Sequence, residues 1–407
     1  MPRTPEPRFT CTIPSIHDDI PLNVRLYHPD CLSRPESKDS KHEEEAEAKW
    51  QKKGIVMAHP YAPMGGSYDD HVVNIVIDEF LRKGWIVGTF NFRCVGAHGS
   101  KGRTSWSGRP ESDDYISFAA FFMHYLSYLR PNPLPTAVFT PEPPLAPTKK
   151  SRDDAPVMVL GGYSYGSMIL RHLPPVPSIL QPFASPLEGS AADEILLRAH
   201  KLADQINLKW INEARASAER GRRRHETKLS VTMGGEETSP KKRRSSRDIR
   251  RSMEGSNGRR SLNISEGLRS ISHRRSPHPQ VTPEPTAPRP AIMMPDVCYL
   301  LVSPLTAPIS TLAAPSLAHK FWSKSANSTT SDVIAKHRSL VVYGDRDQFS
   351  SVHKVREWVR RMQNQGSSQC SADEIEGAGH FWNEHSVESR LRSAIEQWER
   401  KARERPA

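Results

Sequence analysis

Pro156-Val-Met-Val-Leu-Gly-Gly-Tyr-Ser-Tyr-Gly-Ser-Met168 sets a short apolar run directly in front of a glycine-rich turn with a serine at its centre. Val157–Leu160 reads as a buried strand, and Ser164–Leu173 as a short helix stopped by Pro174 and Pro175. A GxSxG spacing alone is weak, because Gly and Ser are common enough for a chain of 407 residues to carry one by chance. The strand before it and the helix after it give it meaning. A nucleophilic serine needs a sharp strand-to-helix turn. Gly162 and Gly166 remove side chains where that turn would collide with itself. The helix N-terminus behind Ser164 favours developing negative charge. The competing reading is the glycine-rich βα turn of a nucleotide-binding fold, but no GxGxxG or Walker pattern accompanies it.

Outward from this turn, strands and helices alternate. Phe9–Ile13 and Leu22–Tyr27 alternate apolar and polar residues and read as a hairpin or edge pair. Gly54–Ala58 and Trp85–Phe90 read as strands. Between them, Asp70–Lys83 has apolar residues at helical spacing and ends at Gly84. Asp113–Leu129 reads as a second amphipathic helix and Pro131–Lys150 as a Pro-rich loop. Later come strands at Val297–Val302, Leu340–Tyr343 and Asp373–Glu376, with helices at Ser351–Asn364 and Glu384–Arg403. Repeated strand–helix units with short apolar strands predict an α/β architecture, with a mostly parallel sheet and helices on both faces.

The expected division is 1–212 and 291–407 as two parts of one α/β domain, interrupted by 213–290. The net charge of +11 is concentrated in that interruption, which holds 19 Lys/Arg against 9 Asp/Glu. Its runs, such as PKKRRSSRDIRRS and SHRRSPHPQVTPEPTAPRP, hold too little apolar surface to offset chain entropy, so it is expected to be disordered, with frayed helix at its start. The polar stretch between Pro29 and Trp50 reads as a solvated loop. Cys11, Cys31, Cys94, Cys298 and Cys370 are odd in number and widely spaced, which argues against a disulfide framework or a Cys-based zinc site. With no secretory h-region at the start of the sequence and no long apolar window, the chain is expected to be soluble and intracellular, in the cytoplasm. Pro240-Lys-Lys-Arg-Arg244 adds nuclear import as an option.

A serine needs a base, and the base an orienting acid. Two later strand ends can supply them: Leu340-Val-Val-Tyr-Gly-Asp-Arg-Asp347 and Glu374-Ile-Glu-Gly-Ala-Gly-His380. Loops after the carboxyl ends of such strands are where catalytic side chains gather. Asp345 competes with Asp347 as the acid, and His385 with His380 as the base.

Five segments together resemble the α/β-hydrolase superfamily, in particular a subgroup of small serine hydrolases. They are His59-Pro-Tyr-Ala-Pro-Met-Gly-Gly-Ser67, Asn91-Phe-Arg-Cys-Val-Gly96, Gly162-Tyr-Ser-Tyr-Gly166, Gly344-Asp-Arg-Asp347 and Gly377-Ala-Gly-His-Phe381. They look like the group's HPHPxxGGS, NFRGVGxSxG, GFSFGA, GDxD and GADHFF patterns in the same order, over residues 8–173 and 295–400. The resemblance implies Ser164 as nucleophile, Asp347 as acid and His380 as base. It implies oxyanion-hole amides from Tyr165 and from the His59–Ala62 loop, with Tyr61 preferred. Cys94 and His98 stand where the pattern has Gly and Ser, and a Gly at 94 would suit a tight turn. The expected substrate is a small-molecule ester, or else a thioester or amide. His59, Leu305, Ile309, Phe321 and Trp322 are the pocket candidates, and the roughly 35 residues after Val302 are too few for a large lid.

No metal or cofactor is expected. Asp69-Asp70-His71 with His59 matches no metal spacing, and an Asp at a helix start is a cap. Gly96–Thr104 does not satisfy GxxxxGK[ST]. The 240–276 region offers kinase or import-receptor contacts, through Pro240–Arg244 and RRS sites such as those ending at Ser252, Ser261 and Ser276. It lacks the aromatics that would support specific nucleic-acid binding. An inactive scaffold of the same fold whose basic arm docks partners, and an acyltransferase, remain alternatives to a hydrolase.

Overall fold

The computed structural model describes residues 5–32, 50–93, 95, 104–105, 107–131, 155–232, 292–314 and 329–403. Eight strands form one sheet in the order β1-β2-β4-β3-β5-β6-β7-β8. They are β1 (Phe9–Pro14), β2 (Pro21–Tyr27), β3 (Lys53–Ala58), β4 (Ile86–Phe90), β5 (Val157–Tyr163), β6 (Asp296–Val302), β7 (Ser339–Gly344) and β8 (Cys370–Ile375). β1 pairs with β2 and β2 with β4 antiparallel, and every later pair is parallel. An antiparallel pair at one edge of a parallel sheet in this strand order is the α/β-hydrolase fold.

The two faces of the sheet follow from strand alternation. In β3, Ile55 and Met57 face one core while Val56 and Ala58 face the other; in β7, Leu340 and Val342 oppose Val341 and Tyr343. Helices α1 (His71–Arg82) and α9 (Val387–Arg403) cover the first face. On the second lie α2 (Arg109–Tyr128), α3 (Tyr165–Leu170), α4 (Val176–Leu180), the first turns of α5 (Ala191–Thr232) and α8 (Val352–Gln363). The short helices α6 (Ile309–Ala313) and α7 (Thr329–Lys336) follow β6. With both faces covered, the central strands β3 to β7 are buried along almost their whole length and read as apolar runs, whereas β1 and β2 at the edge alternate.

Local chemistry sets the helix ends. Asp70 caps α1, its Oδ1 accepting from Val72 N at 2.8 Å, which is the cap role expected for it. Gly84 ends the helix with φ 77° and donates to Leu81 O at 2.9 Å. α2 starts at Arg109, four residues before the expected Asp113, because Pro110 sits where a helix's first turn needs no N–H donor. Glu111 in that same turn favours the N-terminus. β5 runs on through Tyr163, beyond the expected Leu160, because Gly161, Gly162 and Tyr163 pair in register with Leu300, Leu301 and Val302 of β6.

The boundary expected at 212/213 falls inside α5, which continues to Thr232. By contacts the chain divides into Met1–Arg220 with Arg289–Ala407, which holds the sheet, and Gly221–Pro288. Residues 233–291, including the 240–276 basic and Ser-containing motifs, lie outside the described residues, as do the Pro-rich segment 132–154 and most of the polar stretch before Trp50. Among the described residues, no helix is long and apolar enough to cross a membrane. Cys11, Cys31, Cys298 and Cys370 are free thiols, while Cys94 is outside the described set.

A partly buried histidine gives the fold a pH signature. His28, just past β2, shares a 2.6 Å hydrogen bond with the Tyr125 hydroxyl. Burial, reinforced by the positive charges of Arg8 and Lys209, pushes its pKa down to about 3. The folded state therefore keeps it neutral where the unfolded chain protonates it. Its contribution to stability is complete above the unfolded value of about 6.5 and is lost as pH falls through that value toward the folded one. Between pH 7 and pH 5 this amounts to about 2 kcal/mol. Urea unfolding at the two pH values should show His28→Gln losing that much less stability on acidification than the wild type. Equal losses would contradict the assignment.

Candidate active site

The carboxyl ends of β5, β7 and β8 converge, and each contributes one residue of a relay. Ser164 follows the last residue of β5 with φ 54° and ψ −113°, and α3 begins at the next residue. A non-glycine residue held there costs on the order of 1–3 kcal/mol, which the surroundings must offset. Two bonds hold the turn: Ser164 N donates to Val302 O on β6 at 2.9 Å, and Met168 N donates to Ser164 O at 3.1 Å. The two glycines are required by space. A Cβ on Gly162 would lie 2.4 Å from the carbonyl carbon of Gly166. A Cβ on Gly166 would lie 2.6 Å from Ala58 O and 2.8 Å from His59 O.

That contact makes a prediction. Gly166→Ala must push apart α3 and the loop after β3, at a cost of about 1–3 kcal/mol. It should lower the thermal midpoint and reduce turnover more than tenfold, since both parts carry the expected oxyanion amides. Scanning calorimetry and a steady-state assay check it, and wild-type values in both would refute it.

The Ser164 hydroxyl lies 2.8 Å from His380 Nε2, and His380 Nδ1 lies 2.7 Å from Asp347 Oδ2. All three side chains are buried. A carboxylate only accepts, so Nδ1 carries the proton toward Asp347 and leaves Nε2 free to accept from the serine hydroxyl. The other carboxylate oxygen, Asp347 Oδ1, accepts from Phe349 N at 2.7 Å and Ser350 N at 2.9 Å, which fixes the acid's orientation. Ser350 in turn donates to Pro304 O at 2.9 Å and accepts from Thr306 N at 3.2 Å, joining the acid loop to the segment after β6.

The rival residues separate clearly. Asp345 Oδ1 accepts from Gly377 N at 2.6 Å, so Asp345 ties the acid loop to the histidine loop without facing the imidazole. His385 is exposed, in the turn before α9. Gly344 is where the two loops touch, since a Cβ there would lie 2.0 Å from Ala378 O.

The expected oxyanion residues lie on the start of α3 and on the loop after β3, which pack against each other at Gly166. Tyr165 is the first residue of α3, where an N–H has no partner earlier in its own helix. Tyr61 precedes a 3-10 turn, Ala62–Met64, and its carbonyl accepts from Met64 N and Gly66 N, each at 3.1 Å. The two tyrosine rings pack with centroids 5.1 Å apart.

His59 is not a wall of a substrate pocket, as expected from sequence, but an internal bracket. It is fully buried, its Nδ1 is 2.6 Å from Pro60 O, and its Nε2 accepts from Phe92 N at 2.9 Å. Those partners require the neutral ring, and burial pushes its pKa down to about 4. The bracket joins the Tyr61 loop to Asn91-Phe-Arg93. That segment is anchored by Arg93, whose guanidinium pairs with the buried Asp114 at 2.6 Å and with Asp18 at 2.8 Å. Among the other pocket candidates, Leu305 is buried and Ile309 half-buried at the start of α6. Phe321 and Trp322 lie outside the described residues, as does His98.

Three features escaped the sequence reading. Tyr163 donates its hydroxyl to His380 O at 2.8 Å, and Trp382 donates its indole N–H to Ser303 Oγ at 3.0 Å. The Phe349 ring packs 4.7 Å from the His380 ring, and the half-exposed Phe381 ring packs 5.6 Å from both. Tyrosine at 163, where the resembled pattern GFSFGA has phenylalanine, was the one available signal. Among the described residues, no group of three His, Cys, Asp or Glu side chains is placed to hold a metal ion.

No protein-family model matches the sequence, and no curated protein does. Solved structures similar to the chain include an α/β serine hydrolase homologue from Coxiella burnetii, with 13% identity over 96% of this chain and 98% of that one and a TM-score of 0.43. XC6422 from Xanthomonas campestris, described as an α/β serine hydrolase without a lid, is also similar, with 13% identity over 99% and 98% of the two chains and a TM-score of 0.42. Est1E from Butyrivibrio proteoclasticus has 10% identity over 96% and 98%, with a TM-score of 0.41.

Proposed function

We propose that this chain is a serine hydrolase that cleaves a carboxylic ester through an acyl-enzyme. The observation that carries the reading is the continuous line from Ser164 Oγ through His380 to Asp347, with contacts of 2.8 and 2.7 Å, starting from a serine held at positive φ. His380 takes the hydroxyl proton as Ser164 Oγ bonds to the ester carbonyl carbon. The carbonyl oxygen becomes an oxyanion, held by the amides of Tyr165 and Tyr61. Collapse breaks the C–O bond, and His380 returns the proton to the departing alcohol. Water then attacks the acyl-serine with His380 again as base, releasing the acid and restoring Ser164. Losing one oxyanion amide would cost roughly 3–4 kcal/mol of transition-state stabilisation.

Phe349 and Phe381 give the histidine side of the site an aromatic edge, which suits an ester with an apolar portion. Leu305 and Ile309 on the segment after β6 suit a compact acyl group. A fluorophosphonate probe with the folded full-length chain tests the assignment, followed by p-nitrophenyl esters of increasing acyl length. Label located on Ser164 by peptide mass spectrometry supports it. A folded chain whose Ser164 stays unlabelled would favour the reading as an inactive scaffold of the same fold.

A further inference from the structure

We infer that Tyr163 is a positioning residue for His380, holding the base's main chain to the strand that carries the nucleophile; the inference rests on the triad reading above. His380 sits outside regular structure, in the loop between β8 and α9, whereas Ser164 is pinned by β5, β6 and α3. The catalytic distance therefore depends on how the histidine loop is tied to β5. Tyr163, the residue immediately before the nucleophile, makes that tie, with its hydroxyl donating to His380 O at 2.8 Å. Its ring packs against the imidazole with centroids 5.6 Å apart. The side chain is 1% exposed and lies in the same apolar cluster as Ala378 and Trp382, which flank His380 in the chain. A second tie, from Trp382 Nε1 to Ser303 Oγ, holds the loop two residues further on, so the Tyr163 bond acts at His380 itself.

Without the hydroxyl, the His380 carbonyl would remain buried with an unmet acceptor, and the loop would relax to satisfy it. The imidazole would move with it. Proton transfer and attack are sensitive to such shifts, a misplacement of about 1 Å costing on the order of a hundredfold. Substrate binding gains nothing from this hydroxyl, so kcat and KM should respond separately.

Tyr115 supplies a matched control. It is fully buried, and its hydroxyl donates to Gly161 O, also on β5, at 2.9 Å, but it belongs to the core on the opposite face of the sheet from Tyr163, Ala378 and Trp382. Tyr163→Phe in the full-length chain should lower kcat for p-nitrophenyl butyrate about 10- to 30-fold with KM within about twofold. Tyr115→Phe should lose comparable thermal stability with kcat within about twofold of wild type. The low-field Nδ1 proton of His380, followed by NMR, should exchange faster in Tyr163→Phe and not in Tyr115→Phe. Wild-type kcat in Tyr163→Phe, or equal loss in both variants, would overturn the inference. If the wild-type chain turned over no ester, that would count against the hydrolase reading. The proton resonance would then decide on Tyr163 alone: faster exchange upholds the tie and unchanged exchange rejects it.

Discussion

Ser164→Ala is expected to reduce turnover of p-nitrophenyl esters by about six orders of magnitude while leaving the chain folded. The size of the effect follows from the relay acting as one unit. In the proposed reaction, removal of the hydroxyl leaves the His380 base no proton to take and no covalent intermediate can form. What remains is the oxyanion site and substrate binding, worth on the order of a thousandfold over water. Folding should survive, because the features that shape the turn are main-chain bonds and the two glycines, and alanine retains the first and does not disturb the second. Removing a residual hydroxyl from a site at φ 54° does not relieve the backbone, so the thermal midpoint should stay within a few degrees of wild type. Steady-state assays and calorimetry on the same preparation check both parts. A variant retaining a tenth of wild-type activity would refute Ser164 as the nucleophile and with it the proposed reaction.

The fold was legible because its signals are local. Val157–Leu160 before Gly162-Tyr-Ser-Tyr-Gly166, and the helical spacing from Val72 to Leu81, each declare an element within a few residues. Boundaries were less legible where a competing rule applied. Pro110 belongs to the first turn of α2, where a missing N–H costs nothing, and α5 runs to Thr232, further than the frayed helical start expected of the charged segment. The relay was readable in outline, since strand ends carrying Asp and His follow Ser164 in order. The choice between Asp345 and Asp347 depends on which carboxylate the loop turns toward the imidazole, and spacing alone does not determine that. His59 shows the same limit in reverse. A histidine in a glycine loop beside the serine suggests a substrate contact, but its two ring nitrogens are taken by Pro60 O and Phe92 N. The partners that decide its role lie up to 33 residues away in the chain.

Asp347→Asn should lower kcat by about four orders of magnitude, and Asp345→Asn by less than about tenfold. The contrast comes from what each carboxylate does in the present arrangement. Asp347 Oδ2 accepts from His380 Nδ1, which fixes the tautomer with Nε2 unprotonated toward Ser164. An asparagine oriented with its NH2 group toward the ring would donate instead, placing the ring proton on Nε2. That nitrogen could then no longer accept from the serine. The imidazolium formed during attack would also lose its counter-charge. Asp347 Oδ1 would still have its two backbone donors if the amide oxygen took its place, so the acid loop should keep its shape and KM should change little. Asp345 spends its carboxylate on Gly377 N, a loop-to-loop tie that an asparagine oxygen can largely reproduce. Its substitution should therefore register mainly as about 1 kcal/mol of stability. Steady-state kinetics of the two single variants, with urea unfolding of each, separate the roles. Comparable losses of kcat in both would mean that the two loops act through a shared conformation and not through one oriented histidine.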